Sequence, residues 1–159
     1  MSNIIIKRTQ NNHDAPLVHN ILLEAFEPYK AQYTEGAFNA TVVSTENMKQ
    51  RIAANEFEVL IALCDNDLAG TVSIKMQDEG DLYIASMAVK PAYYGKGIGF
   101  KMLEKAEGIA LDKHCISLSL ETSAPLINAI SLYEKFGFER TGKSRDYYGV
   151  AIFEMRKNL

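Results

Sequence analysis

Ser86-Met87-Ala88-Val89-Lys90-Pro91-Ala92-Tyr93-Tyr94-Gly95-Lys96-Gly97-Ile98-Gly99-Phe100 joins an apolar, strand-like segment to an amphipathic, helix-like one through a loop dense in glycine. Glycine lacks a β-carbon, so a backbone built on Gly95, Gly97 and Gly99 can turn sharply and aim several N–H groups at one place. Such a convergence suits an anion. The helix expected next adds the unpaired amides of its first turn and the positive end of its dipole, which makes a phosphate or pyrophosphate the natural guest. A plainer reading, in which the glycines only turn the corner, stays open on the loop alone. The loop itself lacks the Gly-x-x-x-x-Gly-Lys-Ser/Thr spacing of a P-loop, so a nucleoside triphosphatase is not expected. Nor does it read as the Gly-x-Gly-x-x-Gly fingerprint that follows the first strand of a dinucleotide-binding domain.

Working outward, the chain has 159 residues, of which 47% are apolar and 23% charged, the size and make-up of one globular domain over residues 1–159. No apolar run approaches the roughly 18 residues of a membrane span. The opening Met1-Ser2-Asn3-Ile4 lacks the regions of a signal peptide, so a cytoplasmic location and no membrane partner are expected. A net charge of −3 and a pI near 5.6 offer no broad attraction for nucleic acid. Cys64 and Cys115 sit in apolar, strand-like stretches and read as buried free thiols. His13, His19 and His114 are scattered without ligand spacing, so no metal is expected. The oligomeric state is not legible, and a homodimer is compatible with the sequence.

Upstream of the loop, Ile4-Ile5-Ile6-Lys7-Arg8 reads as a strand, followed by a turn through Thr9-Gln10-Asn11-Asn12. Asp14 can cap a helix in which Leu17, Ile21, Leu22, Ala25 and Phe26 share a face. Periodicity fades over residues 29–43, where Tyr29, Tyr33 and Phe38 either line a substrate loop or tuck a connector onto the core. Ser44 or Thr45 starts a second helix with Met48 and Ile52 inward. Residues 59–64, 68–76 and 81–89 then read as three antiparallel strands joined by Asp65-Asn66-Asp67 and Gln77-Asp78-Glu79-Gly80. Downstream, Ile98, Met102, Leu103, Ala106 and Ala110 mark a helix, and Ile116, Leu118 and Leu120 alternate as a strand. Ser123 can cap a last helix that stops at Gly137, and a hairpin around Arg145-Asp146-Tyr147-Tyr148-Gly149 closes the chain.

The residues from Val89 to Gly99 resemble the pyrophosphate loop of the GCN5-related N-acetyltransferase family, Val-x-Pro-x-x-Arg/Gln-Gly-x-Gly-x-Gly/Ala, with Tyr94 standing where that family usually has Arg or Gln. Later, Leu132-Tyr133 followed by Gly137-Phe138 is similar to the family's C-terminal motif, with Leu126 in place of its usual Asn and Asn128 close by. The resemblance implies an α/β fold: a mixed, mostly antiparallel sheet flanked by helices and split where the cofactor enters. It implies acetyl transfer from acetyl-CoA to an amine, either a small-molecule amine, the favoured acceptor, or a protein amine. A non-catalytic acyl-CoA-binding or regulatory module is the alternative.

Under the resemblance, the amides of Gly95, Lys96, Gly97, Ile98, Gly99 and Phe100, with Tyr94 beside them, hold the pyrophosphate. Backbone at Met87, Ala88 and Val89 pairs with the pantetheine arm as an added half-strand, and Asn128 and Tyr133 complete the cofactor site. An N–H near Met87 or Ala88 polarises the thioester carbonyl, a contribution of about 3 kcal/mol for a good donor. Tyr133 is the candidate acid for the departing thiolate. No base is evident: Asp81 and Glu79 either act through water or are ordinary turn carboxylates. Tyr147 and Tyr148 either line the acceptor pocket with Tyr29, Tyr33 and Phe38 or pack the hairpin.

Overall fold

Alternation sets the sheet. In β2 (Glu58–Cys64) Val59 and Ile61 face one way and Leu60 and Ala62 the other, and all are buried, so this strand is covered on both sides. It turns into β3 (Asp67–Gln77) through Asp65 and Asn66, whose φ values of +50° and +71° are those of a tight hairpin turn. A short 3-10 turn over Asp78–Gly80 leads to β4 (Asp81–Val89), antiparallel to β3, while β1 (Ile4–Arg8) pairs with the other edge of β2. These details come from a computed structural model, which describes residues 2–10 and 12–159. Met1 and Asn11, the latter in the turn expected after the first strand, lie outside the described residues.

A helical crossover, α4 (Ile98–Asp112), brings β5 (Ser117–Thr122) parallel to β4. The hairpin of β6 (Glu139–Tyr147) and β7 (Val150–Asn158) then returns so that β7 lies beside β5, and the sheet order is β1-β2-β3-β4-β5-β7-β6. Helices α1 (Ala15–Phe26), α2 (Glu35–Thr41) and α3 (Thr45–Ala53) bury Ile21, Leu22, Phe38 and Met48 with Val59, Ile61 and Ala88. The opposite face is covered by α4, which packs Ile98, Met102, Leu103 and Ala106 on Leu60, Val72 and Ile74, and by α5 (Ile127–Phe136). This is the mixed, mostly antiparallel sheet flanked by helices that the sequence led us to expect.

The feature that positions the site is where β4 and β5 stop pairing. Their register runs from Asp81↔Ser117 to Ile84↔Leu120, after which residues 85–89 continue with no strand on that side. The sheet is split there. On its other edge β4 is irregular as well: the β3 register shifts between Thr71 and Ser73, and Ser86 opposite has φ +49°. That is a β-bulge, which re-aims the strand where it becomes the wall of a cleft.

Three local expectations are corrected. Residues 29–43 are a 3-10 stretch over Glu27–Gln32 followed by α2, whose N-cap Thr34 accepts from the Ala37 amide at 3.0 Å. Seven residues are too few to show a helical period. Asp14 stands at the N-cap of α1 but accepts from the Gln10 amide at 3.0 Å instead of a helix amide. Ser123 does not cap α5, which begins at Ile127; its hydroxyl meets that of Tyr33 at 3.2 Å. Separately, Gly137-Phe138-Glu139-Arg140-Thr141-Gly142-Lys143-Ser144 has P-loop spacing, but runs from the C-cap of α5 into β6. A phosphate cradle needs a loop opening into a helix N-terminus, and here Lys143 and Ser144 lie in an exposed strand.

Candidate active site

Between β4 and α4 the chain runs through a 3-10 turn over Pro91–Tyr93, and Gly95 and Gly97 then take φ values of +78° and +79°. An L-residue resists that conformation, and a β-carbon placed at either glycine would meet nothing within 4 Å. Among the described residues, the amides of 95–100 have no hydrogen-bond partner: the first bond of α4 is from Lys101 to the Gly97 carbonyl, at 3.1 Å. Six consecutive donors at the positive end of a 15-residue helix form an anion cradle. Gly99 does something else. A β-carbon there would come within 2.7 Å of Leu132 Cδ2, so this glycine lets α4 and α5 touch.

A cavity of about 370 Å³ opens from the cradle. Gly95, Gly97, Ile98, Gly99 and Phe100 line one end, the stretch Met87, Ala88 and Val89, paired to β3 but with no strand on its β5 side, one wall, and Leu126, Asn128, Ala129, Leu132 and Tyr133 of the α5 region the other. Tyr29 and Tyr94 also line it, whereas the Lys96 side chain is exposed and does not. The dimensions and chemistry suit coenzyme A: unpartnered amides for its pyrophosphate, open space where side chains are missing, and a free strand edge for its peptide-like arm.

Tyr133 lies at the junction with a second cavity of about 290 Å³, which shares Phe26, Met87, Leu126 and Tyr133 with the first. Its position is fixed by the end of α5. The Gly137 and Phe138 amides both reach back to the Tyr133 carbonyl, Gly137 has φ +113°, and the Phe138 ring packs edge-on at 5.9 Å. Tyr133 is 8% exposed, and its hydroxyl makes no hydrogen bond to any described residue. Burial, with a smaller contribution from Tyr33, pushes its pKa up to about 12. A non-catalytic module would fit a tyrosine closed into packed core; here the side chain faces two cavities.

The second cavity collects residues far apart in sequence: Tyr33, Arg51 from α3, Tyr83 from β4, Glu121 from β5, and Arg145 and Tyr147 from β6. Arg145 donates two hydrogen bonds to Glu121, at 2.8 and 2.9 Å, and the Tyr83 hydroxyl donates a third at 3.2 Å. The Arg145 bonds hold the Glu121 carboxyl below the usual carboxylate range, while burial and the neighbouring Glu121 push Tyr83 up to about 12. Sequence reasoning passed over Glu121 and Arg51, because each sits in an ordinary amphipathic segment and only the tertiary fold brings them together. Tyr148 lies outside, 63% exposed, its carbonyl accepting from Thr34 at the cap of α2.

Asp81, Glu79 and Phe38 are elsewhere as well, lining neither cavity. Asp81 is 4% exposed at the far end of β4, where it accepts from Ser117 and Ser119 with Arg156 at 3.6 Å, and it lines neither cavity. It cannot serve as the base, because it is locked into the β4–β5 junction. Asp81→Asn is expected to lower stability by about 3 kcal/mol, the usual cost of breaking a buried charge network, with coenzyme A binding retained; chemical denaturation and calorimetry measure both. Phe38 lies on the buried face of α2 with Lys30 Nζ 5.2 Å from its ring centroid, and it also lines neither cavity. Cys64 and Cys115 are free, buried and outside both cavities. No cluster of metal-ligating side chains occurs among the described residues, and none of their helices is long and apolar enough to cross a membrane.

A split mixed sheet with an amide cradle at its opening defines a class, and comparison with known proteins agrees. The acetyltransferase (GNAT) family model matches residues 17–138, and the chain belongs to that family. Among curated relatives it is 29% identical to N-alpha-acetyltransferase 30 of Xenopus laevis over 103 residues, 62% of this chain and 38% of that one. It is 39% identical to thialysine N-epsilon-acetyltransferase of Bos taurus over 57 residues, 36% of this chain and 34% of that one. The chain thus spans well under half the length of either. PaiA N-acetyltransferase of Thermoplasma acidophilum, solved in complex with coenzyme A, superposes with a TM-score of 0.79 at 24% identity over 99% of both chains, a likeness of fold.

Proposed function

We propose that this protein is an acetyl-CoA-dependent N-acetyltransferase that acetylates an amine by direct attack in a ternary complex. The observation that carries this is one cavity running from six unpartnered amides to Tyr133, which it shares with a second, charged cavity. Acetyl-CoA, when bound, supplies an activated acetyl thioester. The amides of 95–100 hold the pyrophosphate, Tyr94 and Asn128 flank the arm, and backbone at Met87, Ala88 and Val89 pairs with its amides. A donor at Met87 or Ala88 faces the developing negative charge.

Tyr133, protonated throughout the physiological range, gives its proton to the leaving sulfur. Glu121, the carboxylate lining the second cavity, takes the ammonium proton through water, the part that Asp81 is placed too far away to play. Tyr33 and Tyr147 form walls of the acceptor cavity, and Tyr29 belongs to the cofactor cavity. The relatives are named for acceptors of different kinds, protein α-amines and the side-chain amine of thialysine, and a small-molecule amine is the acceptor we favour.

Calorimetric titration with coenzyme A, then an amine panel followed by thiol release, tests the proposal; no binding at millimolar cofactor would overturn it. Glu121→Gln is expected to lower kcat/KM about 100-fold while coenzyme A affinity holds. A change in kcat/KM below about threefold would remove Glu121 from the proton path.

A further inference from the structure

We propose that the acceptor carries a carboxylate close to its amine, as an amino acid does, and that Arg51 receives that carboxylate. The inference rests on the second cavity being the acceptor site. Arg51 lines that cavity from the last turn of α3. Its Nη1 donates to the hydroxyls of Ser86, at 2.9 Å, and Ser73, at 3.3 Å, and its guanidinium lies over the Phe57 ring at 4.5 Å. No carboxylate among the described residues pairs with it, and Nε and Nη2 donate to none of them. Desolvation pulls its pKa below the ordinary guanidinium range, and Glu56 acts on it only at a distance.

A partly desolvated cation held by two hydroxyls and an aromatic face is incompletely satisfied. The donors left over are those of a guanidinium fork, whose geometry matches a carboxylate. Ser86 contributes to the arrangement from a backbone held at φ +49°, in the bulge that turns β4 toward the cleft. Charge points the same way. Of the other ionised groups on this wall, Glu121 is already engaged by Arg145 and Tyr83, so Arg51 and Arg145 against Glu121 leave one net positive charge in a chain whose net charge is −3. Tyr33 and Tyr83, whose pKa values burial raises, add none at neutral pH. A polyamine would bring further ammonium groups toward that excess cation; an amine with its own carboxylate complements it.

The test compares matched pairs. Glycine, methionine and phenylalanine are assayed against their carboxamides by thiol release, and the corresponding N-acetyl acids against N-acetyl amides by calorimetry, with and without coenzyme A. The expected result is a preference of about tenfold or more for the carboxylate member of at least one pair, in rate or in affinity. In Arg51→Gln the preference falls to about one and in Arg51→Lys it survives in part, with coenzyme A affinity and melting temperature showing that both variants are folded. Equal or absent binding of acid and amide, or a preference unmoved in Arg51→Gln, overturns anion recognition. Failure to bind coenzyme A, with the acid still preferred, overturns the acetyl-transfer proposal instead.

Discussion

Gly97→Val is expected to lower coenzyme A affinity about 100-fold, the loss of two charge-assisted hydrogen bonds at about 1.5 kcal/mol each. Gly97 has φ +79°, so a side chain strains the backbone by roughly 1–2 kcal/mol, and the loop is pushed toward a conformation that scatters the amides. No protein atom stands within 4 Å of the position a β-carbon would take, so the β-carbon itself meets no clash. The damage therefore falls on the ligand more than on folding. Calorimetric titration, with thermal melts as the folding control, reads both; an affinity within about threefold of wild type would show that the cradle does not hold the cofactor.

Tyr133→Phe is expected to lower kcat about 100-fold and to leave the KM for acetyl-CoA within about threefold. Only an oxygen is lost, and the ring keeps its edge-on packing on Phe138. An unchanged kcat would end the acid role. The pKa of about 12 also has a stability consequence. The unfolded tyrosine titrates near 10, so the folded state holds the proton more tightly. Stability from this group is complete below about pH 10 and declines as pH rises through the folded value, because the unfolded chain ionises first. Denaturation midpoints at about pH 8 and about pH 11 should therefore diverge less in Tyr133→Phe than in wild type. Tyr83, whose pKa is also pushed up to about 12, supplies decline that the variant retains.

Legibility followed the distance over which each feature is encoded. The strands, α1, α3 and α4 were readable because each carries its own period, and α4 buries the very residues whose spacing announced it. The cradle was readable because its six amides are consecutive. Helix α2 was not, since seven residues show no period, although Thr34 followed by Glu35 was a capping signal that could have been used. Asp81 was misjudged for a related reason: a carboxylate at a strand start looks solvent-facing until Ser117 and Ser119 arrive beside it from β5. Arg51, Glu121 and Arg145 belong to three elements that nothing local ties together. The second cavity is assembled by tertiary structure, which is why a one-dimensional reading named Tyr33 and Tyr147 for it and none of its charged groups.

Gly99 places a hydrogen atom where any other residue would put carbon, and in doing so it seats the helix that carries the cradle directly against Leu132 of the helix that carries Tyr133. Under the proposed function, this contact sets the distance between the pyrophosphate amides and Tyr133. On that reading a longer or shorter carrier that docked its phosphates would present its sulfur away from Tyr133.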